Sequence, residues 1–245
     1  MLPVHLVPSL AGVAAGDEVR VEGDEAHHAV AVRRLRLGER VMLTDGEGRS
    51  VTGAVSATAK RLLTVLVEEV ADLDPPQPTI TVVQALPKGD RGELAVEVLT
   101  EIGVARIVPW AASRSVAVWK GERAAKSLAK WRATAREAAK QARRAWFPTV
   151  EPLATTGAVA RLLGEAAAGV VLHEEGGTPL SAVTVPARGE IVLVVGPEGG
   201  VAEEEIAAFE AAGATTVHLG AEVLRTSTAG LAAAAALLSR TDRWS

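Results

Sequence analysis

The chain of 245 residues contains no cysteine. That absence removes disulfides, thiolate metal sites, the zinc-deaminase signature and every mechanism built on a cysteine nucleophile. Long apolar runs are missing too, since the longest, Ala229 to Leu238, is too short to span a bilayer. No stretch combines a basic start, an apolar centre and a small-residue cleavage site, so the expected location is the cytoplasm. The nucleotide fingerprints are absent: there is no Gly-x-x-x-x-Gly-Lys-Ser/Thr, and no Gly-x-Gly-x-x-Gly follows a strand. Kinase and dehydrogenase readings weaken accordingly. His27 and His28 sit at adjacent helical positions that point apart, and with no nearby HxxxH no metal site is expected.

What is present is 48% hydrophobic and 23% charged, enough for a real core in one large domain or in a small domain joined to a medium one. The formal charge of −4 conceals an asymmetry, because ten Lys or Arg between Arg114 and Arg144 face only Glu122 and Glu137. Such a block is the footprint expected where a surface meets nucleic acid phosphates, and a solvated helix face explains the same count.

Three prolines within Asp72-Leu73-Asp74-Pro75-Pro76-Gln77-Pro78 mark residues 73–78 as an interdomain linker. Before it, across 1–72, short β-type runs (Val4 to Val7, Val19 to Glu22, Val41 to Thr44, Val51 to Val55, Leu62 to Val70) predict a small β-barrel. One helix, Asp24 to Leu35, interrupts them and ends in Arg33-Arg34-Leu35-Arg36, a basic end suited to phosphate contact. Across 79–245 apolar strands alternate with helices, predicting an α/β domain with a mainly parallel sheet. Its strands are expected at Ile80 to Ala85, Arg106 to Pro109, Val170 to His173, Ile191 to Val195 and Val217 to Leu219. Its helices are expected at Gly92 to Ile102, Lys120 to Arg143, Ala158 to Ala167, Ala202 to Ala212 and Ser227 to Ser239. The long basic helix carries an apolar stripe (Ala124, Leu128, Trp131, Ala135, Ala138, Ala142), which directs its charges outwards. The last helix is apolar nearly all round, as suits burial within the domain or at a subunit contact.

Two segments carry the chemistry. Ile191 to Val195 reads as a buried strand running into Gly196-Pro197-Glu198-Gly199-Gly200, where glycines let the backbone approach a flat, polar nucleoside. Glu203, Glu204 and Glu205 then open a helix, complementing its dipole but repelling a phosphate. Alone, this stretch is equally a tight strand-to-helix turn. The second segment, Leu219-Gly220-Ala221-Glu222-Val223-Leu224-Arg225-Thr226-Ser227-Thr228-Ala229-Gly230, is again a strand end leading into a helix.

Together the two segments closely resemble the paired signature motifs of the SPOUT methyltransferase superfamily, and within it the branch that methylates uridine N3 of small-subunit ribosomal RNA. Further similar stretches are Leu86-Pro87-Lys88-Gly89-Asp90-Arg91, Glu101 to Val104, Ser113 to Val116, Glu137 to Gln141 and Leu172-His173-Glu174-Glu175. The resemblance implies a PUA-like RNA-binding barrel followed by a homodimeric α/β domain with a deep trefoil knot, a topology that general rules against threaded chains would not suggest. It implies that S-adenosylmethionine is held by Leu172, His173, Glu174, Val195, Gly196, Pro197, Glu198, Gly199, Gly200, Leu219, Gly220, Val223, Leu224, Arg225, Thr226, Ser227, Thr228 and Ala229. The implied substrate is 16S ribosomal RNA, within the small subunit. Arg33, Arg34, Arg36, Lys88, Arg91, Arg114, Lys126, Lys130, Arg143 and Arg144 are the candidate RNA contacts. Methylation at an imide nitrogen needs no thiolate, in keeping with the missing cysteines. Arg225 and Arg114 are candidates to stabilise the uracil anion. Glu198 is the nearest carboxylate to act as base, and it could equally cap a helix or orient the cofactor. A non-catalytic RNA-binding or ribosome-assembly protein, and a small-molecule α/β enzyme, are the competing readings.

Overall fold

The computed structural model describes residues 2–244. The chain packs as two compact units. One comprises the residues up to Pro75 together with Lys140–Phe147, the other Pro76–Ala139 and the residues from Pro148 onward.

The first unit contains β1 (Val4–Leu6), β2 (Glu18–Glu22), a short helix α1 (Gly23–His27), β3 (Arg40–Thr44), β4 (Arg49–Ala59) and β5 (Leu62–Asp72). They form a five-stranded sheet in the order β1-β3-β4-β5-β2, with β1 parallel to β3 and the other neighbours antiparallel. In β2, Val19 and Val21 turn inwards while Glu18, Arg20 and Glu22 face solvent, the alternation of a sheet with one wet face. Register shifts at Thr52/Gly53 and Val55/Ala57 bend the long β4–β5 pair, so edge and central strands share one core that includes Val21, Val41, Leu43, Val51, Leu63 and Val65.

Three features of this unit differ from the sequence reading. The helix predicted over 24–35 stops at His27 and gives way to a π-helical turn at His28–Val32. Arg34 then adopts a left-handed φ of 57°, so Arg33, Arg34 and Arg36 lie on an exposed irregular segment, not on a helix end. Residues 140–147, which the sequence assigns to the second domain, pack with the first unit: Gly48 N donates to Ala145 O (3.0 Å), Phe147 N to Gly46 O (2.8 Å) and Trp146 Nε1 to Leu73 O (2.8 Å). A Cβ on Gly48 would lie 2.5 Å from the Trp146 ring, which explains glycine there. Finally, Lys140 does not point outwards with the other charges of its helix. It is 8% exposed, with Nζ 3.0 Å from Glu25 Oε2, while the other Glu25 oxygen lies 3.1 Å from Nδ1 of buried His5. Burial pushes the Glu25 carboxyl up, but hydrogen bonds from His5 and Lys140, and their charge, hold it at about 2.

The second unit contains β6 (Thr79–Ala85), α2 (Arg91–Glu101), β7 (Arg106–Trp110), α3 (Gly121–Gln141, whose last two residues count with the first unit), β8 (Thr149–Val150), α4 (Thr156–Glu165), β9 (Ala168–Leu172), β10 (Thr178–Pro179), β11 (Glu190–Val195), α5 (Glu203–Ala211), β12 (Thr215–His218) and α6 (Thr226–Leu238). Seven strands pair in the order β10-β12-β9-β11-β6-β7-β8, every neighbouring pair parallel. Both faces are covered, which is why the strands read as continuous apolar runs. On one face Ile80, Val82, Ile107, Leu193 and Val195 meet Leu99 of α2, Trp131 of α3 and Leu237 of α6. On the other, Val83, Val108, Val192 and Val194 meet Val159 of α4 and Phe209 of α5. All strands and helices expected over 79–245 are present, with ends displaced by no more than two residues. The two-residue strands β8 and β10 are too short to carry a readable period. Helix α6 seats its inner face tightly, a Cβ on Gly230 falling 3.2 Å from Leu99 and Val195, while Leu231, Ala232 and Ala235 stay half-buried and Ala236 exposed.

Candidate active site

In a parallel sheet all carboxyl ends share one edge, the usual place for a ligand. The register sets Val195 beside Leu172 and Leu172 beside Val217, so β9, β11 and β12 finish level. The segments that leave them enclose a cavity of about 300 Å³, the small end of the range for ligand pockets. Its lining brings together the residues that the resemblance assigns to the cofactor, except Gly199, Ser227 and Thr228. The missing side chain of Gly199 faces elsewhere: a Cβ there would lie 3.2 Å from Cβ and O of Arg114. Ser227 is buried in the first turn of α6, and Thr228 turns its hydroxyl to Arg225 O at 3.3 Å. The cavity wall also includes Val201, Val217, His218, Ala221 and Glu222, which are not among the residues that the resemblance assigns to the cofactor, and Arg91, a candidate RNA contact.

One hydroxyl ties the two motif segments together. Thr226 Oγ1 donates to Gly196 O (2.7 Å) and accepts from Nε2 of Gln84 (3.0 Å), joining the start of the loop after β11 and the first turn of α6 to the end of β6. Across the cavity, His218 Nδ1 lies 2.6 Å from Gly176 O, and a carbonyl only accepts, so Nδ1 carries the proton in the neutral tautomer of this ring. His173 has the opposite tautomer, because its Nδ1 accepts from Glu175 N (3.1 Å) and its proton therefore resides on Nε2. Gly176 permits this approach, since a Cβ would collide with Val217 C at 2.5 Å.

Two glutamates fasten loops at the rim. Glu198 accepts from Lys88 N (3.2 Å) and so anchors the segment between β6 and α2. Glu205, 5% exposed, accepts from Ser113 N (2.9 Å), Thr156 Oγ1 (3.0 Å) and Ala202 N (3.2 Å). The sequence reads Glu203, Glu204 and Glu205 as one dipole-complementing cluster, but only the first two are exposed. Glu205 instead holds the loop that carries Arg114, whose Nη1 reaches to 3.5 Å from Gly199 O. Arg225 is exposed at the N-terminus of α6, lines the cavity and makes no salt bridge among the described residues. Its guanidinium is available to a ligand.

The lining combines apolar walls (Leu172, Val195, Val217, Leu219, Ala229) with three carboxylates, Glu174, Glu198 and Glu222. That set fits the flat base and the positive sulfonium and ammonium groups of S-adenosylmethionine, and disfavours a polyphosphate. Of the candidate RNA contacts, Arg33, Arg34, Arg36, Arg143 and Arg144 belong to the first unit, and Lys88, Arg91, Arg114, Lys126 and Lys130 to the second. Lys126 is exposed, whereas Lys130 lies 3.0 Å from Glu93, whose hydrogen bond and charge raise its pKa. No cluster of three or more His, Asp or Glu suited to a metal occurs among the described residues.

Residues 74–238 match the family model described as RNA methyltransferase domain, and residues 21–68 that described as RNA methyltransferase PUA domain. The chain is 44% identical to ribosomal RNA small subunit methyltransferase E of Mycobacterium bovis, over 98% of its own length and 92% of the relative's. It belongs to the ribosomal RNA small subunit methyltransferase E family. Another member, from Bacillus subtilis, is 29% identical over 91% of this chain and 90% of its own. Among solved structures, the family's Neisseria gonorrhoeae enzyme bound to S-adenosyl methionine superimposes with a TM-score of 0.87 at 29% identity, over 98% of both chains. A Legionella pneumophila chain solved with its cofactor SAM gives 0.89 at 25% identity, also over 98% of both.

Proposed function

We propose that this member of the family methylates N3 of a uridine in 16S ribosomal RNA, using S-adenosylmethionine held in the cavity at the ends of β9, β11 and β12. The observation that carries the reading is the position of Arg225: a guanidinium without a partner among the described residues, on the wall of a cavity built from both signature segments. Leu172, Val195, Leu219 and Ala229 would flank the base of the cofactor, with Glu174 and Glu222 facing its positive groups. When bound, the cofactor supplies an electrophilic methyl group.

The remaining work falls to this chain. Neutral uridine N3 carries a proton and has no free lone pair, so the base must become an anion before it can attack. Glu198, with one oxygen held by Lys88 N, has its second oxygen to accept that proton. Charge then develops on the uracil carbonyl oxygens, where the planar donor fork of Arg225, seconded by Arg114, stabilises it. Lys126 and the exposed arginines would track phosphates. The half-buried apolar face of α6 supports a homodimer, and the knotted path is carried by the family resemblance. The reading places the enzyme in the cytoplasm, acting on the small ribosomal subunit.

The test is mass-spectrometric mapping of methyluridines in ribosomal RNA from cells lacking this chain. One N3-methyluridine of 16S RNA should disappear and return on complementation. An unchanged pattern would refute the assignment.

A further inference from the structure

Gln84 is an anomaly in its strand. β6 lies beside the sheet's central strand β11, between it and β7, and every residue from Ile80 to Ala85 is buried. At 0% exposure, Gln84 places a primary amide inside the sheet, and only half of it is used: Nε2 donates to Thr226 Oγ1 (3.0 Å) and Ala85 O (3.1 Å), while Oε1 is buried without a partner among the described residues. A buried polar atom left unsatisfied lowers stability, so a position optimised for packing alone would carry an apolar side chain. The amide's one side-chain partner is the hydroxyl that bonds Gly196 O and lines the cavity.

We propose that Gln84 is a positioning residue for the cofactor cavity, acting through Thr226. By donating to Thr226 Oγ1 it occupies that oxygen as an acceptor and directs the hydroxyl hydrogen onto Gly196 O. The carbonyl at the end of β11 and the first turn of α6 are thereby fixed relative to each other, and the backbone edges of both motif segments face the ligand in one arrangement. This rests on the cavity being the S-adenosylmethionine site.

The experiment is calorimetric titration of S-adenosylmethionine into the purified full chain, with thermal melting of each variant free of ligand. Gln84→Met removes the donor and also the unsatisfied oxygen, so it should melt at or above the wild-type temperature while its Kd rises about fivefold, the value of one net hydrogen bond. Thr226→Val removes both bonds of the relay and should raise Kd further, by about ten- to thirtyfold. Thr226→Ser, which keeps the hydroxyl, should recover most of that loss. Introduced into Thr226→Val, Gln84→Met should change Kd no further, because its route to the cavity is already gone. Wild-type affinity in Gln84→Met, or an additive loss in the double variant, overturns the relay whatever the melting temperatures. A wild-type chain that binds no S-adenosylmethionine overturns the functional reading, and the relay with it.

Discussion

The His5–Glu25–Lys140 cluster allows a stability prediction with a worked magnitude. Glu25 falls from an ordinary value of 4.5 to about 2 in the folded chain, against the upward push of burial, because His5 and Lys140 hydrogen-bond it and attract its charge. A carboxylate depressed on folding stabilises fully above its unfolded value and loses that contribution as pH falls through the folded one, so the window runs from about 4.5 down to about 2. The difference corresponds to about 3 kcal/mol, and because the side chain keeps some contact with water, screening brings the expectation nearer to about 2 kcal/mol. Glu25→Gln cannot ionise. It should be less stable than wild type at pH 7, where Lys140 loses the opposing charge, and the gap should narrow by about 2 kcal/mol as pH falls through this window. Urea unfolding of both chains at a series of pH values measures the gap directly, and titration of the other carboxylates cancels in the difference. A gap that stays constant from pH 7 to about 2.5 would refute the assignment of the stabilisation to Glu25 ionisation.

Three further outcomes are expected. Arg225→Ala should reduce single-turnover methylation by about 100- to 1000-fold at saturating RNA and cofactor, and Arg225→Lys should not restore it fully, since an ammonium lacks the planar fork. Gly199→Val should displace Arg114, 3.2 Å from where its Cβ would stand, lowering the methylation rate while calorimetry shows cofactor affinity little changed, because Gly199 does not line the cavity. Neutralising Lys126 should flatten the salt dependence of RNA binding by about one unit of slope, and neutralising Lys130 by less, since Glu93 already engages it; equal slopes for both variants and wild type would favour a solvated face without RNA contact.

The sheet of the second unit was legible because its strands are buried on both faces. Ile191 to Val195 has no polar alternation to dilute the signal, and the stripe through Trp131 and Ala135 of α3 shows at helical spacing which side is covered. Residues 140–147 gave no such signal. Their bonds run to Gly46, Gly48 and Leu73, far back in the chain, and Lys140 sits 115 positions from Glu25. A lysine in a basic run has the same neighbours in sequence whether it meets water or a carboxylate. The end of α1 was hidden for a related reason: Ala29, Val30 and Val32 keep a helix-like apolar pattern, and a switch from α to π turns leaves that pattern intact.

At the site, the motif segments announced where a ligand sits but not which way each glycine faces. Gly196 and Gly199 look alike in the sequence, yet one lines the cavity and the other clears space for Arg114, a difference set by backbone direction around the loop. Glu205 was hidden among two other glutamates, because its partners come from the loop after β7 and from Thr156. Gln84, by contrast, did leave a mark. A polar residue inside Ile80 to Ala85, a run that the parallel sheet must bury on both faces, requires a hydrogen-bond partner. Near the carboxyl end of a central strand, neighbouring strand backbones are already paired, so a side-chain partner has to come from a polar residue on a segment that crosses that edge. Thr226 and Ser227 open such a segment, and Thr226 is the one whose hydroxyl faces both Gln84 and the cavity.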